Sequence, residues 1–75
     1  MTLGNLQVGA SGIISGYAQG SSQFRDKLLS MGLTTGTRVY IERVAPLGDP
    51  LQIRVRNFSL SIRKSEADII LLSND

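Results

Sequence analysis

One stretch, Ser21 to Gly36, most narrows what this chain can fold into. It reads Ser-Ser-Gln-Phe-Arg-Asp-Lys-Leu-Leu-Ser-Met-Gly-Leu-Thr-Thr-Gly, and it alone carries a clear helical pattern. At roughly 100° per residue, Phe24, Leu28 and Met31 fall within one narrow arc. The spacing therefore predicts a helix over about 21–31 that directs these three side chains at a core. Ser21 or Ser22 is placed to cap its N-terminus by accepting a bond from an unpaired backbone N–H. Gly32 stands where the helix must stop, since a residue without Cβ takes positive φ freely. With Gly32 as C′, Leu33 becomes C″ and Leu28 becomes C3, the pair whose apolar contact accompanies a Schellman ending. Thr34, Thr35 and Gly36 then turn the chain toward a strand.

The flanks obey a different period. The first twenty residues carry Gly4, Gly9, Gly12, Gly16 and Gly20, which mark turns and leave room for short strands only. Leu6 and Val8 read as one packing contact, and 12–17 as a first strand. From 37 to 44, Val39 and Ile41 share a face until Val44 breaks the alternation, which predicts a bulge or a strand both of whose faces are partly covered. Pro46, Gly48, Asp49 and Pro50 form a turn cluster, with Pro50 placed to open the next strand. Leu51, Ile53 and Val55 alternate with Gln52, Arg54 and Arg56. Asn57-Phe58 turns the chain, and Leu60 and Ile62 resume the pattern. Residues 65–68 read as a single capped helical turn, with Glu66 and Asp68 as first-turn charges favoured by the helix dipole. Residues 69–72 read as a closing strand. The result is a mainly β fold, a small SH3-like five-stranded barrel with one inserted α-helix; an OB-type barrel is the alternative.

Seventy-five residues make one domain, 1–75, with no room for a second core. The chain has no cysteine and no histidine. Disulfides, most nucleophile–base pairs and soft or borderline metal sites are thereby excluded. Its six carboxylates are scattered, and Gly9-Ala10-Ser11-Gly12 lacks the lysine of a phosphate loop. The expectation is a protein that is not an enzyme and has no cofactor or metal site. The longest apolar run, Ile69–Leu72, is too short to span a bilayer, and the N-terminus lacks the pattern of a signal peptide. A cytoplasmic location is expected. Eight basic residues against six acidic ones leave +2, a modest field. Arg54, Arg56 and Arg63, with Lys64 at the edge, share a polar face. However, Tyr17, Phe24, Tyr40 and Phe58 do not interleave with them in sequence, so the face reads as solvated and no nucleic acid is expected. Leu29 points away from the helix stripe, and Leu47 sits at the tip of the proline turn. Both are hard to bury, and they define a candidate partner surface with Arg25 and Lys27 as its charged rim.

Taken together, Arg25-Asp26-Lys27-Leu28-Leu29-Ser30-Met31-Gly32-Leu33 with Thr35-Gly36, Val44 through Pro50, and Leu51-Gln52-Ile53 resemble FeoA proteins. The similarity runs from about Leu6 to Leu72 and includes Leu60 to Lys64 and the Glu66-Ala67 turn. The family usually carries a glycine near the turn where this chain has Asn57, a residue that also tolerates positive φ. The resemblance implies an SH3-like barrel without catalytic activity. It implies a partner, the membrane GTPase transporter FeoB, and a role in ferrous iron uptake, with recruitment to the inner face of the membrane. A small nucleic-acid-binding barrel and a self-associating regulatory module are the alternatives.

Overall fold

The alternating apolar residues after Gly36 become the inner face of a sheet. In the computed structural model, which describes residues 1–19 and 22–73, the strands are β1 (Ser11–Tyr17), β2 (Arg38–Val44), β3 (Leu51–Val55), β4 (Phe58–Ile62) and β5 (Ile70–Ser73). Helix α1 (Ser22–Ser30) lies between β1 and β2, and the short α2 (Lys64–Ala67) joins β4 to β5. A 3₁₀ turn, Leu3–Asn5, precedes β1. All neighbours are antiparallel in the order β4-β3-β2-β1-β5, so the last strand returns to pair with the first. The outer side of β5 is also covered: Thr2 bridges Leu71, and the Leu72 N–H donates to the Met1 carbonyl at 3.0 Å. An otherwise open sheet edge is thereby shielded.

The core takes Ile14, Val39, Ile41, Leu51, Ile53, Val55, Ile62 and Ile70 from the strands, Leu28 from α1 and Ala67 from α2. The break in alternation at Val44 is resolved by a bulge. Ile41 pairs with Ile53 and Arg43 with Gln52, leaving Glu42 as the extra residue. This slip returns Val44 to the core side, where it packs against the buried cluster.

The helix ending follows the predicted geometry. Gly32 has φ +95, the Leu33 N–H donates to the Leu28 carbonyl at 3.1 Å, and the Gly32 N–H donates to the Leu29 carbonyl at 3.0 Å. These are the 6→1 and 5→2 bonds of a Schellman motif. Leu28 and Leu33 are both fully buried. The Tyr17 hydroxyl donates to the Leu33 carbonyl, fastening the helix exit to β1, and burial raises the pKa of that hydroxyl. Gly36 and Gly48 also take positive φ, the latter in the turn formed by Pro46, Asp49 and Pro50, and the Asp49–Pro50 peptide is cis. Pro50 directly precedes β3, as expected of a residue that opens a strand.

Four expectations need correction. Phe24 is 43% exposed, because the first turn of α1 reaches beyond the core; Leu28 is the buried contact of this helix, with Met31 packed at the margin. Val8 is exposed and only Leu6 packs partly. The N-terminal core position belongs to Leu3, drawn inward where Thr2 bridges β5. The β3–β4 loop is Arg56-Asn57, since Val55 pairs with Phe58. The positive φ, +56, accordingly falls on Arg56 and not on Asn57. Ser22 is the first residue of α1, while the alternative cap, Ser21, lies outside the described residues.

Gly32→Val tests the helix ending. An ideal Cβ there would meet the nearest atom, Phe58 Cζ, only at 3.7 Å, so the strain lies in the backbone and not in crowding. The variant should lose about 1–3 kcal/mol. For a domain of this size each kcal/mol lowers the melting temperature by about 4–8 °C, which thermal denaturation resolves.

Candidate functional site

Helix α2 is too short to be stable alone, and it is held by bonds that reach far along the chain. Glu66 Oε1 accepts the Arg63 backbone N–H at 2.9 Å, closing half of a capping box. Its Oε2 accepts from Lys27 Nζ on α1 at 2.7 Å. One residue after Arg63, the Lys64 N–H donates to Asp49 Oδ1 in the proline turn at 2.9 Å. The first turn of α2 therefore fastens both α1 and the proline turn.

Glu66 is the first-turn charge that the sequence suggested, whereas Asp68 is not. Glu66 is only 2% exposed, and its partners are thirty-nine residues upstream and at the N-cap. Asp68 follows the helix as its C-cap and pairs with Lys64 Nζ at 2.9 Å. Burial by itself pushes the Glu66 carboxyl up. The hydrogen bonds from Lys27 and the Arg63 N–H, with the charges of both residues, outweigh it and hold the carboxyl below its ordinary value.

The candidate partner residues sit on the two fastened segments. Leu29 lies two residues after Lys27 and is 38% exposed; Leu47 lies two residues before Asp49 and is 97% exposed. Arg25 is exposed and pairs loosely with Asp26 at 3.6 Å. Lys27 is half-exposed and committed to Glu66, so it holds structure as well as lining the rim. Two aromatic residues that the sequence reading did not include among the partner candidates are also exposed. Phe24 is exposed on α1, and partly exposed Phe58 brings its ring edge to the Gly32 stop. Pairing with Val55 places Phe58 in strand β4 and not in a turn, information that only the register supplies.

The outer face of the sheet carries a second polar cluster. Glu42 accepts from Arg54 Nε at 2.7 Å, Ser59 Oγ at 2.7 Å and Gln52 Nε2 at 3.1 Å. These donors, from Ser59 foremost, lower the pKa of its carboxyl. The arginines read from sequence as one face are dispersed: Arg54 is on β3, Arg56 is in the hairpin loop and Arg63 precedes α2. Tyr40 lies directly across from Arg54. An aromatic therefore does interleave with the basic residues, through cross-strand pairing that linear spacing hides.

Such an architecture defines a small SH3-like β domain with exposed apolar residues on its helix and turns. The chain belongs to the FeoA family: the model of the FeoA domain matches residues 1–74. It is similar to the Fe(2+) transport protein A/Fe(2+) transporter FeoB fusion protein of Porphyromonas gingivalis, 31% identical over 67 residues. That match covers 89% of this chain but only 8% of the fusion protein. Among solved structures, the FeoA-like protein of Clostridium acetobutylicum superposes with a TM-score of 0.90 at 40% identity, covering 97% of this chain and 84% of that one. The zinc complex of Stenotrophomonas maltophilia FeoA, described as an SH3 domain protein, has a TM-score of 0.83 at 24% identity over 97% of this chain and 89% of that one. The last likeness speaks to the fold.

The Glu66 bonds predict an acid-sensitive domain. Because the folded-state pKa is lowered, the stabilisation is complete above the unfolded glutamate value, about 4.3, and is lost as pH falls through the folded value. Glu66→Gln should cost about 1–2 kcal/mol at neutral pH and flatten the acid limb of a stability–pH curve, measured by urea denaturation.

Proposed function

We propose that this domain is a non-catalytic accessory of bacterial ferrous iron uptake that works in the cytoplasm by binding the FeoB membrane transporter. The observation that carries this reading is the Porphyromonas gingivalis relative, whose name joins a transport protein A to a FeoB transporter in one polypeptide. Fusion holds the two parts at high effective concentration, where even a modest contact surface on the domain is occupied. Leu29 and Leu47 supply that surface here, with Arg25 and the half-exposed Lys27 beside Leu29. Fully burying a leucine is worth about 1.5–3 kcal/mol, enough for two to dominate a modest interface. The composition favours a binding role over chemistry, because neither imidazole nor thiolate is available.

Replacing both leucines with serine tests the surface. Leu29→Ser with Leu47→Ser should leave the domain folded by circular dichroism and reduce its capture of FeoB from detergent-solubilised membranes by tenfold or more, as loss of about 1.4 kcal/mol or more requires. Normal capture by the folded variant would place the interface elsewhere.

The iron is cargo of the transporter in this reading and not a ligand of the domain. No group of three or more His, Cys, Asp or Glu side chains able to hold a metal occurs among the described residues. Calorimetric titration of the isolated domain with ferrous iron under anaerobic conditions should give no stoichiometric site of micromolar or tighter affinity.

A further inference from the structure

The net charge of +2 is unevenly placed. Around the helices, every lysine and Arg25 has a carboxylate partner: Asp26 for Arg25, Glu66 for Lys27 and Asp68 for Lys64. On the sheet, Arg54 is paired with Glu42. Arg38, Arg43 and Arg56, and Arg63 at the start of α2, have no carboxylate at ion-pair distance among the described residues. Arg38 reaches only Ser11 Oγ, at 3.4 Å, and Arg56 only Thr37 Oγ1, at 3.5 Å.

Register explains how Arg38, Tyr40, Arg43 and Arg54 share one side. Val39 and Ile41 point into the core, so Arg38 and Tyr40 point out. The bulge at Glu42 then keeps Arg43 on the outer face, opposite Gln52, instead of turning it inward. Arg56 stands at the hairpin end, against the start of β2. Tyr40 is 43% exposed and is flanked across the strands by Ser11 and Arg54. Of the exposed large apolar side chains on strands, its phase alone faces outward, since Phe58 shares the phase of buried Val55.

We propose that the outer face of β2 and β3, through Arg38, Tyr40, Arg43, Arg54 and Arg56, rests on the anionic phospholipid headgroups of a bilayer. The inference rests on the reading that the domain works beside a membrane transporter, and it adds which side of the domain meets the membrane. Charge complementarity selects the occupant. Basic side chains near an anionic leaflet are attracted without any fixed register, and a tyrosine ring with a polar tip suits the headgroup layer. Single-stranded nucleic acid is the weaker match, because it is held by successive aromatic platforms, and this face offers one ring beside the Glu42 carboxylate. The contact orients a domain already held at the membrane, leaving the Leu29 and Leu47 surface for protein.

Sedimentation of the whole domain with vesicles tests this without the transporter. Vesicles of one-third phosphatidylglycerol in phosphatidylcholine should pellet severalfold more domain at low ionic strength than pure phosphatidylcholine. The difference should vanish at about 0.5 M salt, where screening confines the field to a few Å. Arg38→Gln, Arg43→Gln and Arg56→Gln together should lower the partition at least tenfold, since each cation near the surface is worth about a fivefold change. The Leu29→Ser, Leu47→Ser variant should pellet like the parent. Equal pelleting by the two vesicle types, persistence in high salt, or unchanged partition of the folded triple variant overturns the proposal. If the triple variant does not fold, the lipid and salt comparison on the parent decides. Tighter binding of a short oligothymidine than of the anionic vesicles, lost in the same triple variant, overturns it in favour of nucleic acid. Failure of the parent domain to capture the transporter, with its lipid binding intact, would instead count against the proposed protein partner.

Discussion

The Glu66 carboxylate is the interaction on which the arrangement of the helical side depends. It accepts from the Arg63 N–H and from Lys27, and so fixes α2 to α1; the neighbouring Lys64 N–H adds the proline turn through Asp49. A buried carboxylate is costly unless its oxygens are met, and here both oxygens have a donor. Lys27 stays half in water, which spares the pair the full desolvation cost of a buried salt bridge. The arrangement therefore contributes specificity of position as much as stability. Leu29 and Leu47 belong to segments far apart in sequence, and both segments are anchored to the same helical turn.

Beneath that anchor lies a core of Ile, Val and Leu from all five strands and α1, with Ala67 from α2. The chain buries it with strict alternation along β3 and with one slip along β2. The slip at Glu42 has two consequences at once. It restores Val44 to the core, and it places Glu42 and Arg43 together on the outer face, where Glu42 gathers donors from β3 and β4. A single extra residue thus joins the packing inside to the charge pattern outside.

Much of the functional surface is a matter of which charges remain unpaired. Among the described residues, three of the four ion pairs lie at the helices, and three of the four arginines without one lie on β2 and in the β3–β4 loop, the fourth being Arg63 before α2. The apolar residues divide differently, with Phe24, Leu29 and Leu47 exposed on α1 and the proline turn, and Tyr40 exposed among arginines. One domain of this size therefore exposes apolar residues on α1 and the proline turn and basic residues on the sheet.

The sequence by itself determined what local rules control. Period-two alternation set the strands to within a residue or two, Gly32 set the helix stop, and broken alternation at Val44 marked the strand that bulges. Leu29 and Leu47 were legible as poor core candidates because helical phase and a proline turn are local properties. Only the tertiary structure decided whether a well-phased residue had anything to pack against. Phe24 has the right arc and no core beneath it, while Leu3, in a glycine-rich segment without periodicity, is buried because Thr2 bridges β5. Likewise Glu66 read only as a first-turn charge until Lys27 was brought to it, and Tyr40 looked isolated until Arg54 lay across from it. Each of these outcomes depends on partners distant in sequence, and burial and charge pairing are properties of the assembled neighbourhood that no local period encodes.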